Sequence, residues 1–346
     1  MAARFGTGEI RALLRLALRA FSAGQAGRAK KGLSHQALNT TQPRMMRVPS
    51  TPLRGSHHGL SWWLVSAVLA SAGVVSDGSR GSVLSRAGFD FDITSGAKVC
   101  GNLFHCFSKF DLGYAESATF RGPNDVTNIP SLVTGGSASS IDGTIRSIIS
   151  VANLFLMNPK GLVFGPNAKL DIQGSFAVST ADYLELADGG KFNAQLGGDD
   201  SLTSAPVSAF GFFNSAPAAV TFNQSQLSVQ PSRGLHIIAG GVALNVASLQ
   251  APSGFLTVVS AAPTGVLPFT LATRGSGNAA VNFGARGTVT LANQSMLNTD
   301  GDGGGRLVIR SGKRTVDNST ISSSNTGPDT RCALNGGKQS QRSADK

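Results

Sequence analysis

The feature that most constrains this chain is a set of short apolar alternations, each cut after a few residues by a turn. It is clearest in ANLFLMNPKGLVFGPNAKLDIQGSFAVSTADYL, Ala152 to Leu184. Leu154 and Leu156, Leu162 and Phe164, Leu170 and Ile172, Phe176 and Val178 stand two apart, the spacing that puts side chains on one face of a strand. Between the runs the residues have turn chemistry. Asn158-Pro159-Lys160-Gly161 suits a type I turn, with Pro at its second position, and Gly165-Pro166-Asn167-Ala168 suits type II, with Asn at its third. Segments this short leave no room for a helix, so the stretch predicts consecutive strands of a stacked β structure.

Further along, the alternation becomes a repeat. Leu227, Leu249, Leu271, Leu297 and Ile321 are separated by 22, 22, 26 and 24 residues, and NQSQLSV, NQSMLNT and DNSTISS place an Asn ahead of a Ser. A period in the low twenties with Gly and Asn at the breaks is a solenoid signature. Leucine-rich repeats share the period but need further leucines at fixed spacing and a helical segment. The fold expected is all-β: a right-handed parallel β-helix from about Phe89 to Ile321 with an N-terminal β cap, since an uncapped stack would present unpaired backbone groups.

The net charge of +11 is unevenly placed. Residues 1–60 hold ten Lys/Arg against one acid, residues 61–305 twelve against fifteen, and residues 306–346 eight against three. The middle of the chain therefore lacks the basic footprint of a nucleic-acid-binding domain, and no nucleic-acid partner is expected. Cys100, Cys106 and Cys332 form no framework. In one extended strand the first two would lie about 20 Å apart, beyond disulfide reach, whereas a turn at Gly101-Asn102 would bring them closer. A small buried Cys106 is the favoured reading. No CxxC pair or Cys/His spacing for zinc is present.

At the ends the strand pattern fades. Residues 1–72 read as a basic extension and a signal peptide. Arg11, Arg15 and Arg19 beside Leu13, Leu14, Leu16, Leu18 and Phe21 suggest a short basic amphipathic helix, unless translation starts later. From Met45 or Met46 the order is basic residues (Arg47, Arg54), an apolar core from Leu60 to Leu69, and Ala70-Ser71-Ala72 as a small-x-small cleavage site. That core is short of the about 20 residues a membrane span needs, so export rather than anchoring is expected. Residues 73–88 read as a Ser/Gly-rich lead-in, with order beginning near Phe89, residues 188–200 as a Gly/Asp-rich loop, and residues 326–346 as a disordered tail.

The central stretch resembles the secretion domain of two-partner-secreted exoproteins, the filamentous haemagglutinin family, whose members carry an NPNGI pentapeptide in a run of this shape. Here it stands as Asn158-Pro159-Lys160-Gly161-Leu162, matching at three of five positions, and FGPNAKLDIQGSFAVSTADYL follows. Upstream, GNLFHCFSKFDL, ESATFRGPNDVTNI and VTGGSASSIDGTIRS look like the family's preceding segments. An NPNL signature of other members is absent, the nearest approach being Gly122-Pro123-Asn124-Asp125. The resemblance covers residues 89–255, with further coils expected over 256–325. It implies export through the periplasm of a Gram-negative-type bacterium, an outer-membrane transporter as partner, a secreted or cell-surface location, and adhesion to a host-surface or saccharide ligand, as a monomer.

Enzyme chemistry is not assembled in the sequence. His35, His57 and His58 fall in the leader, and His105 and His236 stand singly in strand-like runs. Neither GxSxG nor a Walker pattern occurs. Asp300-Gly301-Asp302-Gly303 has the look of a calcium-binding turn but lacks the nonapeptide repetition that completes such sites, so a solvated loop is favoured. Asp182, Glu185 and Asp188 read as surface acids. No catalytic residue, cofactor or metal is expected. The competing readings are a β-helical polysaccharide lyase or glycosidase, which needs paired carboxylates or an Arg/Lys base on one coil face, and a structural surface protein.

Overall fold

The computed structural model describes residues 73–195, 199–214, 216–261, 264–271 and 286–327. These form strands and turns with no helix, and most strands pair in parallel with the equivalent strand one coil away. Three faces result. The first stacks Asn102–Asp111, Asn128–Val133, Asn153–Met157, Phe176–Ser179, Gly234–Ala239, Phe255–Ser260 and Arg306–Arg310. The second stacks Ser139–Ile141, Leu162–Phe164, Ala219–Asn223, Gly241–Asn245, Thr288–Ala292 and Lys313–Val316. Strands Ser117–Phe120, Thr144–Ser147 and Lys169–Asp171 begin the third, which resumes with Gln226–Ser228, Ser248–Gln250, Met296–Asn298 and Thr320–Ser322. The chain visits the faces in that order and then climbs one coil: a parallel β-helix.

Alternation fills the bore. Leu154, Leu156, Leu162, Phe164, Phe176 and Val178 are all buried in the central core, with Ile172 beside them and Leu170 half-buried against it. Columns of like side chains run along the axis: Ile129, Leu154, Phe176, Leu235 and Leu256 occupy one register on the first face. Each such burial stabilises by about 1.5–3 kcal/mol, and the columns make every coil depend on its neighbours.

Asn side chains bind the coils together at the corner entering the first face. Asn153 Nδ2 donates to Asn128 Oδ1 at 3.1 Å, and Asn128 Nδ2 donates to Asn102 Oδ1 at 3.0 Å. The ladder ends on Asn102 Nδ2, which donates to the carbonyls of Thr203 and Ala205 at 2.9 and 2.8 Å. It thereby ties down a segment that lies outside the helix.

That segment belongs to a four-stranded antiparallel sheet in the order Lys191–Asn193, Tyr183–Leu186, Val207–Phe212, Gly265–Pro268. It encloses a second core against the outer side of the first face, where Phe104, Leu132, Phe155, Met157, Ile238 and Val259 meet Leu184, Phe192, Phe210, Leu267 and Phe269. Phe104 and Phe192 lie edge to face at 5.1 Å, as do Phe210 and Phe269. First-face strands such as Asn128–Val133 and Gly234–Ala239 are consequently buried on both sides. On the sheet's other surface the ring of Tyr183 lies across Gly211, where a Cβ would collide with it.

Three expectations are corrected. Residues 73–88 are not a lead-in: Gly73–Ser76 pairs antiparallel with Asn102–Asp111, and Ser82–Ala87 forms a hairpin with Asp90–Ser95. With Ala97–Val99, which also pairs antiparallel with Asn102–Asp111, they cover the first edge of the stack and form the cap. The Gly/Asp-rich loop at 188–200 contains a strand, because Phe192 is drawn into the second core. Leu271 is not a ladder position. Leu227, Leu249, Leu297 and Ile321 are stacked in register, so the coil from Leu249 to Leu297 spans 48 residues and carries an excursion into the outer sheet, where Leu271 packs.

Candidate functional site

The pentapeptide forms the corner between the first and second faces. Asn158 is fully buried, following the strand Asn153–Met157. Its Nδ2 donates to the Ser137 carbonyl at 3.0 Å and to Ser139 Oγ at 3.0 Å, both on the coil below, while Oδ1 accepts from Lys160 N at 2.9 Å. Its backbone N donates to Ser179 O on the coil above at 3.0 Å. One side chain thus closes its own turn and fixes it to a neighbouring coil.

Each other member has a separate task. Pro159 presets φ for the second turn position, and the turn closes with Gly161 N donating to Asn158 O at 2.9 Å. Gly161 takes a φ of +105°, and a Cβ there would stand 3.1 Å from Ala219 O, so the position requires glycine. Leu162 returns to the bore in register with Ser139 below and Val220 above. Two residues on, Phe164 stacks on Phe222 at 5.1 Å. Lys160 is exposed.

The next turn is held in the same way. Asn167 N and Nδ2 donate to the two carboxylate oxygens of Asp142, one coil below, at 2.9 and 3.0 Å. Asn167 does not take a positive φ, so the turn is not the expected type II, and the bonds to Asp142 fix the residue instead. Ser137, Ser139 and Asp142 were not singled out from sequence. Their signal is a spacing of 19 to 25 residues from Asn158 and Asn167, about one coil.

Other candidates resolve into structural roles. Arg86–Glu116, Lys98–Asp125, Arg121–Asp92 and Arg146–Asp171 are ion pairs. Asp300 accepts from Ser322 Oγ at 2.7 and 2.8 Å and from Ser324 N at 2.5 Å. These bonds hold its carboxyl below the usual range and fasten a corner of the last described coil. Asp182 accepts from Phe213 N at 2.7 Å, and Asp188 from Thr203 Oγ1 at 2.9 Å. Among the described residues no group of three or more His, Cys, Asp or Glu is placed to hold a metal ion. Cys100 is exposed and Cys106 buried in the second core, both as free thiols, and burial pushes the Cys106 thiol up to about 11.

Both described histidines are buried. His105 points into the bore beneath the cap, with Nδ1 2.9 Å from Ser82 Oγ and its ring 5.6 Å from that of Phe120. His236 lies in the second core, edge-on to Phe269 at 5.1 Å, with neither ring nitrogen hydrogen-bonded. Burial lowers each to a pKa of about 4. Ala70, Ala72 and Cys332 lie outside the described residues.

A capped parallel β-helix with a second core on one face, in which Asn158, Asn167 and the Asn102–Asn128–Asn153 ladder join coil to coil, defines the class of scaffold. The family's sequence model for the TPS secretion domain matches residues 72–313, and the chain belongs to that family. It is a secretion domain of exoproteins exported by two-partner systems.

The heme/hemopexin-binding protein of Haemophilus influenzae is 30% identical over 84 residues, covering 24% of this chain and 9% of that protein. The matched stretch is thus under a tenth of the relative's length. Two solved structures are similar. The HMW1 secretion domain from Haemophilus influenzae has a TM-score of 0.42 at 15% identity, covering 73% of this chain and 66% of that one. A filamentous hemagglutinin secretion domain has 0.41 at 12%, covering 72% and 97%.

Proposed function

We propose that this chain is a secreted or cell-surface exoprotein, carried across the outer membrane by a dedicated transporter that engages the N-terminal part of the helix, residues 89–255. Export to the periplasm precedes this step and ends with cleavage after Ala72. The turn Asn158-Pro159-Lys160-Gly161-Leu162 acts first through structure, by setting the register in which Leu162 and Phe164 enter the bore. At the surface the helix serves in adhesion to a host-surface or saccharide ligand, as a monomer. The observation that carries the reading is the family match across the cap and the coils, 72–313, with Asn158 buried at a coil-to-coil joint inside that span.

The test is secretion of the Asn158→Ala variant from a host expressing the transporter. Loss from the medium with retention in the periplasm is expected, together with lower stability of the purified variant. Normal secretion of the variant contradicts the proposed role of the turn. The intact mass of wild-type protein from the medium should correspond to a chain beginning at Gly73.

A further inference from the structure

Between the third-face strands Lys169–Asp171 and Gln226–Ser228 the ladder is broken. Lys169–Asp171 pairs with Thr144–Ser147 and ends its sheet, and Gln226–Ser228 pairs with Ser248–Gln250 and ends another. The same two coils are continuous on the other faces, where Asn153–Met157 pairs with Phe176–Ser179 and Leu162–Phe164 with Ala219–Asn223. An excursion into the outer sheet does not by itself open a coil, because the longer coil from Leu249 to Leu297 keeps its third-face pairing. The seam lies inside the stack, with described coils on both sides of it.

Two side chains mark it. Leu170 shares an inward register with Phe91, Ala118 and Ile145, all of them buried. It is itself only half-buried, although it stands in mid-stack; Leu84, Leu307 and Ile309, the other large apolar residues half-buried against this core, belong to terminal strands. Water therefore reaches the bore between the two strands. Across the seam Ser225 is fully buried and its hydroxyl has no hydrogen-bond partner, whereas Ser295 Oγ, two coils on, accepts from Ala247 N at 3.1 Å and donates to Ala292 O at 2.6 Å. The corners on the two sides are fastened away from each other: Asn167 to Asp142 one coil below, Gln224 and Ser225 through backbone bonds to Asn245 and Ser248 one coil above.

We infer that this seam is a hinge, along which the coils up to Asp171 and those from Gln226 onward part and close on the third face while the first two faces stay paired. The pivot is the first face, where the second core spans the joint: Phe155 and Met157 from below and Ile238 from above pack under the same outer sheet. Opening on the third face breaks no strand pairing, so it belongs to the least stable local motions of the fold. Closing aligns Leu170 with Leu227 and Lys169 with Gln226 at the about 4.8 Å spacing of paired strands, and covers Leu170. Lys169 N donates to Gly143 O below and Val229 N to Gln250 O above, each at 3.1 Å, so by the alternation of a parallel strand the N–H groups of Leu170 and Ser228 face the seam. The inference is independent of the export route.

Amide hydrogen exchange of the full chain, read residue by residue by mass spectrometry, tests it. In the wild type the amides of Leu170 and Ser228 are expected to exchange at least about tenfold faster than those of Ile145 and Leu249, which lie on the same face with ladder partners. A variant with Lys169→Cys and Gln226→Cys, carrying Cys100→Ser and Cys332→Ser to prevent other pairings, should form a cross-link on oxidation, since closed neighbours come within disulfide reach. Leu170 and Ser228 should then exchange as slowly as Ile145 and Leu249, and reduction should restore the wild-type pattern. Asp171→Cys with Ser228→Cys makes the same closure if the first pair folds poorly. Wild-type protection at Leu170 and Ser228 equal to that at Ile145 and Leu249 overturns the inference. A folded cysteine pair that forms no cross-link, or exchange that stays fast once linked, also overturns it, because either result describes a fixed gap.

Discussion

Replacing Asn158 by alanine removes three side-chain hydrogen bonds: two donated to Ser137 O and Ser139 Oγ and one accepted from Lys160 N, all at 2.9–3.0 Å. At about 1 kcal/mol net for each, the loss is about 3 kcal/mol, and it rises where a buried partner such as Ser139 is left unsatisfied. Aspartate in its place keeps the acceptor for Lys160 N but sets an anionic oxygen against the Ser137 carbonyl, so Asn158→Asp should be at least as destabilised. Lys160→Asn, a change at an exposed position, should fall within about 0.5 kcal/mol of wild type. Urea unfolding followed by far-UV circular dichroism measures all three. With a slope of about 3 kcal/mol/M for a body of this size, Asn158→Ala should lower the midpoint by about 1 M. A midpoint shift no larger than that of Lys160→Asn would refute the claim that Asn158 joins the coils.

The remaining predictions concern burial. His105 and His236 have folded pKa values of about 4 against about 6.5 unfolded, so the unfolded chain binds more protons between those values. Their contribution is complete above pH 6.5 and falls with pH, by about 3 kcal/mol per histidine by pH 4; His236→Leu should flatten the fall of melting temperature between pH 7 and 4.5, and an unchanged slope would contradict this. Bonded carboxylates such as Asp300, whose pKa is lowered, contribute above the unfolded carboxylate pKa and lose their contribution at lower pH. A maleimide applied to native protein should label Cys100 and leave Cys106 untouched until denaturant is added; equal labelling by mass spectrometry would contradict the second core. Leu297→Ala, in the ladder, should cost about 2–5 kcal/mol, clearly more than Leu271→Ala, and a similar loss from both would contradict the 48-residue coil between Leu249 and Leu297.

The helix was legible because its bore is filled by residues two apart within short runs. Leu154, Leu156, Leu162 and Phe164 declare their inward face whatever surrounds the coil. The outer sheet was not legible from the same signal. Its Lys191–Asn193 strand holds one large apolar residue, Phe192, amid Gly and Asp, too little for an alternation. The trace it leaves is on the opposite partner. LFHCF, LFLM and LHIIA are near-continuous apolar runs in the first-face strands, interrupted only by His105 and His236, as expected of strands covered on both sides. Leu271 matched the period by position alone, because an excursion changes coil length without disturbing the ladder beyond it. The Asn158 turn could be read locally from Pro159 and Gly161, whereas its bonds to Ser137 and Ser139 depend on which coil lies beneath.

Transporter dependence is the most direct test of the whole account. The full 346-residue chain should be expressed in a Gram-negative host, with and without a two-partner outer-membrane transporter, and the medium, surface and periplasm assayed for it. The account predicts protein in the medium or on the surface only when the transporter is present, and periplasmic retention otherwise. Equal release in both strains, or retention in both with a transporter active on its own cargo, would contradict it.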